Sequence, residues 1–345
     1  RAALEGRTQQ VVGPEVVSGS GGFAADTVPE GALFAVSDGG GGWVVGSTLL
    51  EARLAAGRVQ GRRTTVASAP PLQAPDGDWD AVLRTSWVEP AYLETDASWC
   101  EPGGEASSPL ANGGAFGAKL DSVAPAAARA LADEHGRAVL VVLSREDTVH
   151  LGAKRPPVSG GAHADGTGVM RVVRTPGVVE AITAVAPGLV VEEVDVAGPP
   201  TSSTIRAAGW AEAVVLLAGA GALDGPVVSP DGATATALVD DDGIRVSVRC
   251  GDPLDETVLR SYCVGAAHMA WSWITSEALS VDADGVVQDL TVRSFGVVRA
   301  TDTPPISVVI EDDGGEPVNG SDAVFAAVAA ATWRHRGCPE DLPTG

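Results

Sequence analysis

A glycine-rich stretch, GGAFGAK, is the first part of the sequence whose residue types could do chemistry. Its candidate binding residues are Gly113, Gly114, Ala115, Phe116 and Gly117. Glycines let backbone amides approach a phosphate or a flat ring that side chains would hold at a distance. A helix is expected directly after the stretch, and its first turn would add partial positive charge there. Without wider context, such a stretch is more often a structural loop.

The second candidate is the carboxylate of Glu316, in the segment DGGEP that precedes the last predicted helix. Glycine and proline constrain this turn, so Glu316 could act as a general base if it were buried beside a reacting group. The alternative is a loop carboxylate in solvent, which is the commoner case in so acidic a chain.

Histidines and cysteines are too widely spaced to predict a metal site. The five histidines contain no HxH or HxxxH pair, and the four cysteines contain no CxxC pair. Structural zinc and iron–sulfur sites use ligands at such short spacings. The sequence also lacks a GxSxG elbow, a P-loop and a GxGxxG motif, which removes the main support for hydrolase, nucleotide-hydrolysing and dinucleotide-binding functions.

Two tryptophans, Trp271 and Trp273, lie on a helix predicted from about Glu256 to Ala278. They allow a third hypothesis, in which the chain is an acidic module that binds a small apolar ligand. Tryptophans on an apolar helix are more often part of the core. His268 on the same helix is likewise more often a hydrogen-bonded core residue than a ligand.

The elements that would position these residues are short, and they include both helices and strands. The chain has 43 glycines, 23 prolines and 4% aromatic residues, a composition typical of many short elements joined by tight turns. Periodicity and capping residues predict helices in STLLEARLAAG, from Asp121 or Ser122 to Gly136, in IRAAGWAEAVVLLAGAGA and from Ser321 to Gly337. They predict strands in AVLVVL, GVMRVVRTP, GLVVEEVDVAG, ATATALVDD and GIRVSVRC. The fold class is therefore predicted to be α+β.

Charge and hydropathy exclude two classes of partner. The formal net charge is −22 and the isoelectric point is near 4.4, whereas nucleic acids and anionic membranes are bound by clustered lysine and arginine. No apolar run reaches the length that spans a bilayer, and the first residues lack the profile of a secretion signal. We therefore expect a cytoplasmic protein without a nucleic-acid or membrane partner.

Taken in order, several segments resemble the large, molybdopterin-binding subunit of the xanthine dehydrogenase and aldehyde oxidase family. GGAFGAK resembles the family's Gly-Gly-Gly-Phe-Gly-Gly-Lys loop, and LSREDTVHLGAKRPP resembles the turn and basic tract that follow it. The segment from SEALSVDADG to TPPISVVI resembles the family's C-terminal part, after which GGEP falls where the catalytic glutamate occurs. The resemblance implies that Gly113 to Gly117 bind molybdopterin and that Glu316 is the catalytic base.

The resemblance also implies an activity and partners. The family oxidises or hydroxylates small heterocycles and aldehydes, so the implied partners are a small-molecule substrate, separate iron–sulfur and flavin subunits, and a second copy of the chain. Three departures support an alternative: SSPLAN lacks the expected glutamine, VAGPPTSSTIRAAGW stands where an Arg-Gly-Phe-Gly-like loop is expected, and the chain is shorter than a family subunit. The alternative is a non-catalytic relative that serves as a scaffold, assembly or ligand-binding protein and has no cofactor.

The same resemblance predicts a division of the chain into three parts. Residues 1–72 would form a shortened hammerhead-like α/β domain. Residues 73–220 and 221–345 would form the first and second halves of a molybdopterin-binding-type domain.

Overall fold

The computed structural model describes residues 3, 4, 9, 11, 13–58, 67–311 and 313–345. It is 31% helical and 21% strand, which confirms the α+β class. The strands are β1 (Leu33–Ser37), β2 (Trp43–Gly46), β3 (Ala81–Thr85), β4 (Ala97–Cys100), β5 (Val139–Val142), β6 (Val158–Ala162), β7 (Gly168–Val173), β8 (Leu189–Val194), β9 (Val227–Val228), β10 (Thr234–Asp240), β11 (Gly243–Arg249), β12 (Ile306–Ile310) and β13 (Asp341–Leu342).

The α-helices alternate with these strands along the chain. They are α1 (Pro14–Val17), α2 (Leu49–Ala56), α3 (Ala124–His135), α4 (Arg145–Leu151), α5 (Val178–Val185), α6 (Trp210–Gly219), α7 (Glu256–Thr275) and α8 (Gly320–His335). Among the described residues, no helix has the length and apolar character needed to cross a membrane.

Three sheets organise the fold. The first has the strand order β2-β1-β5-β4, the second β12-β11-β10-β9 and the third β13-β3-β6-β7-β8. Helix α3 packs on the first sheet, α8 packs on the second, and α5 and α6 cover the third. One hydrophobic core joins the second and third sheets with α5 to α8 and includes the buried Trp273 and Trp333.

Most predicted elements are confirmed, with shifts at the helix starts. The α7 helix and the β10–β11 hairpin lie where periodicity predicted them. Helix α3 begins two residues after Ser122, because Pro125 occupies its first turn and the Ser122 hydroxyl accepts from the Ala124 amide. Helix α8 is capped by Asn319 and not by Ser321.

The strands connect stretches that are distant in sequence. Strand β1 pairs in parallel with β5, and β13 near the end of the chain pairs in parallel with β3.

The predicted division of the chain into three parts at residues 72 and 220 stays a prediction, as does the hammerhead-like character of the first part.

Candidate functional site

The glycine stretch folds into a strained 3-10 segment, Ala115–Asp121. Ala115, Phe116 and Gly117 have φ angles of 51°, 58° and 107°, a region that side-chain-bearing residues rarely occupy. The Arg206 amide donates to the Phe116 carbonyl at 2.7 Å, and the Thr204 hydroxyl donates to the Gly117 carbonyl at 3.1 Å. The stretch is therefore fixed against residues 204–206.

Arg206 joins this stretch to the first turn of α8. Its guanidinium lies 5.4 Å from the centroid of the Phe116 ring, and its Nε is 3.2 Å from Asp322 Oδ1. Arg206 is 3% exposed. The space between the glycine stretch and α8 thus contains a buried, paired arginine side chain.

A cavity of about 150 Å³ opens beside Phe116, and we call it the Phe116 cavity. Its polar and aromatic lining consists of three phenyl or indole rings, one imidazole, two guanidinium groups and two carboxyl groups, and the rest of the lining is apolar. These residues are Phe116, Trp273, Phe325, His268, Arg155, Arg206, Glu89 and Glu277. Trp273 and Phe325 stack with their centroids 5.5 Å apart. The mixture of flat apolar walls and a few polar groups is typical of small-molecule sites.

Arg155 is held in the cavity wall by a buried ion pair. Its guanidinium donates to Glu212 with two nitrogens, one of them at 2.9 Å. It also donates to the Arg206 carbonyl at 2.7 Å and lies 4.5 Å from the Trp273 ring centroid. Arg155 is 5% and Glu212 is 0% exposed, so this pair is removed from solvent screening.

Glu89 faces the same cavity from the segment after β3. The Lys154 ammonium is 3.0 Å from Glu89 Oε2, and burial raises the pKa of Glu89 while Lys154 acts in the opposite direction. Lys154 donates to the carbonyls of Thr148 and Gly152. Glu89 is 3% and Lys154 is 0% exposed, so the two side chains form a buried ion pair.

Glu277 follows the end of α7 and provides the second carboxyl group. Burial raises its pKa to about 7, although a hydrogen bond from Ser272 and the charge of Arg155 lower it. A carboxyl group with this pKa changes its charge near neutral pH.

We expect Glu277→Gln to stabilise the fold more at pH 8 than at pH 5. Because the pKa of Glu277 rises from 4.5 to about 7 on folding, the folded protein holds this proton more tightly than the unfolded chain. The contribution of Glu277 to stability is therefore complete below pH 4.5 and is lost as the pH rises through 7. Glutamine does not titrate, so the variant avoids this loss. Urea denaturation of both proteins at the two pH values measures the difference, and the same difference at both would contradict the assignment.

Three residues of α7 to which the sequence points, His268, Trp271 and Trp273, have different surroundings. His268 Nε2 is 3.0 Å from the Val298 carbonyl oxygen, so the histidine is hydrogen-bonded as expected. Trp271 packs at the edge of the core, and Trp273 is 2% exposed and lines the Phe116 cavity.

Glu316 lies apart from the Phe116 cavity. Its segment is fixed to residues 250–252, since the Asp252 amide donates to the Gly315 carbonyl at 2.8 Å and the Val318 amide to the Cys250 carbonyl at 2.9 Å. The Glu316 side chain is exposed. It is absent from the lining of the Phe116 cavity and of a second cavity of about 210 Å³ beside the start of α8. Phe116 and Glu316 are therefore not joined in one cavity, and the catalytic role of Glu316 stays a prediction.

Sequence reasoning missed the polar lining of the Phe116 cavity. Glu89, Arg155, Arg206 and Glu277 were not singled out, because each is one charged residue in a different segment. A charged residue between apolar ones, as in WVEPA and STIRAAGW, was the available indication, since such residues are buried only when paired.

No group of three or more potential metal ligands is present in the part of the chain that the structure describes.

Comparison with known proteins identifies the fold. No family model and no curated protein matches the sequence. Among solved structures, quinoline 2-oxidoreductase from Pseudomonas putida 86 matches with a TM-score of 0.53 and 9% identity, covering 97% of this chain and 96% of that one. The aldehyde oxidoreductase from Desulfovibrio gigas (TM-score 0.30, 14% identity, 66% of this chain and 43% of that one) matches too weakly to carry an argument. At 9% identity the likeness concerns the fold alone, and this chain shares the fold of quinoline 2-oxidoreductase.

Proposed function

We propose that this chain is a relative of the molybdenum hydroxylases that binds a small molecule in the Phe116 cavity. Quinoline 2-oxidoreductase, whose fold this chain shares, belongs to the molybdenum hydroxylases, which agrees with the family that the sequence resembles. The observation that carries the proposal is a cavity of about 150 Å³ with aromatic walls and two carboxyl groups. A cavity of that size holds one six-membered ring.

Molybdopterin does not fit the residues around this cavity. Sites for cofactors and drug-sized ligands measure about 300–1,000 Å³, and the space between the glycine stretch and α8 contains the Arg206 side chain, paired with Asp322. The predicted base, Glu316, lies outside the cavity. We therefore assign no reaction step to this cofactor.

The second candidate function is that of a molybdopterin-binding oxidoreductase subunit with separate iron–sulfur and flavin chains. Two observations favour it: the likeness to quinoline 2-oxidoreductase and the open space beside Gly114, where an added Cβ would meet nothing within 4 Å. In this case Glu316 would be the catalytic base and Gly113 to Gly117 would contact the cofactor.

One preparation tests both candidates. Protein made in a molybdenum-replete host should contain neither molybdenum nor pterin, and single-ring aromatic compounds should quench its tryptophan fluorescence saturably, because Trp273 lines the cavity. The matched control is Trp273→Phe, which keeps an aromatic wall and should lose the saturable part of the signal.

Two results would overturn the proposal. One is stoichiometric molybdenum together with a substrate-dependent dye reduction that Glu316→Gln abolishes. The other is quenching that Trp273→Phe leaves unchanged, since this would place the ligand elsewhere.

A further inference from the structure

Five residues other than glycine have a left-handed backbone in the described part of the chain. They are Ala91, Ala115, Phe116, Ala207 and Cys338, and their φ angles lie between 51° and 58°. In this region the Cβ atom of an L-residue comes too close to the neighbouring backbone, so such residues are uncommon and each costs free energy. Strained residues of this kind cluster at functional sites, where the surrounding structure holds them.

Cys338 belongs to the end of a helix. It follows Gly337 shortly after α8, and its amide donates to the Trp333 carbonyl at 3.0 Å. Hydrogen bonds of this kind are common at helix ends, where left-handed residues are frequent. Cys338 is absent from the lining of the Phe116 cavity. Helix termination therefore accounts for Cys338, and the ligand site does not involve it.

The other four left-handed residues surround the Phe116 cavity. Ala91 and Phe116 line it, Ala115 directly precedes Phe116, and Ala207 directly follows Arg206, which also lines it. None of the four follows the end of an α-helix. They come from three segments that are far apart in the sequence, so the cavity is the feature that they have in common.

Hydrogen bonds hold two of these segments against each other. The Arg206 amide donates to the Phe116 carbonyl at 2.7 Å. The Arg155 guanidinium donates to the carbonyls of Arg206 and Ala207 at 2.7 Å and 3.3 Å. These two carbonyls flank the backbone dihedral angles of Ala207, so its conformation determines whether both can meet one guanidinium. The left-handed backbone thus helps to place Arg155 in the cavity wall.

The conformation of Ala115 and Phe116 determines in the same way where the Phe116 ring lies. The ring is at the edge of the cavity, with the Phe116 side chain partly exposed and the Arg206 guanidinium 5.4 Å from the ring centroid. The Ala115 side chain is outside the cavity lining and packs against the small apolar cluster that includes Ala118 and Ile205. Ala115 can therefore affect the cavity only through the backbone.

We propose that Ala91, Ala115, Phe116 and Ala207 are positioning residues, whose left-handed backbone holds the walls of the Phe116 cavity in the arrangement that accepts a ligand. This inference rests on the proposed ligand-binding function. It assigns a role in binding to the backbone conformation of these residues, which the binding function alone does not require.

Ala115 is the best position for a test, because it is half-buried and its side chain is outside the cavity lining. Asparagine and valine are similar in size, but asparagine tolerates a left-handed backbone and valine does not. Acetophenone, a neutral single-ring compound, is the probe, and Trp273 in the cavity wall reports its binding by saturable fluorescence quenching. Ala115→Val should weaken acetophenone by about tenfold or more, whereas Ala115→Asn should stay within about twofold of the wild type.

Cys338 provides the matched control, because it has the same backbone conformation outside the cavity. Cys338→Val should lower the midpoint of thermal unfolding, as Ala115→Val does, but should change the affinity for acetophenone by less than about twofold. All titrations are made well below the unfolding midpoints, with folding verified by circular dichroism. A general loss of stability would not distinguish the two positions, whereas a role in positioning the cavity walls does.

The possible failures are distinguishable. Wild-type affinity in Ala115→Val, or an equal loss of affinity in Cys338→Val, would overturn the inference and leave the ligand-binding function standing. A wild type without saturable quenching would overturn the binding function itself, and the positioning role with it.

Discussion

Arg155→Met is expected to lower the free energy of unfolding by about 3–5 kcal/mol. The substitution keeps an unbranched apolar chain beside Trp273 but leaves the Glu212 carboxylate without its partner, and Glu212 is 0% exposed. An uncompensated buried charge is among the few single changes with so large an effect. The measurement is equilibrium urea denaturation of the wild type and the variant at pH 7.

Two further variants separate this cause from a loss of packing. Arg174→Met removes an arginine that is 53% exposed and pairs with Asp195 on the surface, so it should lower the stability far less than Arg155→Met does. The double variant Arg155→Met with Glu212→Leu removes both charges and should be more stable than Arg155→Met alone. A double variant that is as unstable as the sum of its single changes would show that packing, and not charge, is responsible.

The predicted elements were those with local causes. Helix α7 has an apolar spacing that is visible in its own sequence, and its N-cap, Asp255, accepts from the Val258 amide three residues later. The β10–β11 hairpin has alternating residues on both sides of a short acidic turn. In both cases the residues that determine the element lie within it.

The cavity could not be predicted in the same way, because its residues meet only in three dimensions. Arg155 and Glu212 are 57 positions apart, and nothing within either segment specifies the partner.

The segment around Glu316 has a recognisable sequence but a position that the sequence does not predict. It resembles a catalytic motif, whereas its place in the fold is determined by backbone hydrogen bonds with residues 250–252. A motif predicts residue types, whereas burial and pairing depend on the whole fold.

Gly117→Ala is expected to destabilise the protein by about 3 kcal/mol and to abolish ligand binding in the Phe116 cavity. Gly117 has a φ of 107°, and an added Cβ would lie 1.9 Å from the Thr204 carbonyl oxygen. Backbone strain and overpacking each cost about 1–3 kcal/mol, and here the obstructing atom belongs to the backbone and cannot rotate away. The segments would have to separate, which would weaken the Arg206 amide's hydrogen bond to Phe116 and displace the cavity wall. Thermal denaturation and the tryptophan-fluorescence titration with a single-ring aromatic compound measure the two effects.

Gly114→Ala is the matched control within the same stretch. Gly114 has a φ of −84° and open space at its Cβ position, so alanine should be neutral or stabilise the protein by up to about 1 kcal/mol through the unfolded chain. A chain that used this stretch to hold molybdopterin would show another pattern, because a methyl group at Gly114 would then obstruct the cofactor and reduce its content without reducing stability. Equal stability losses in the two variants would contradict the close contact with Thr204.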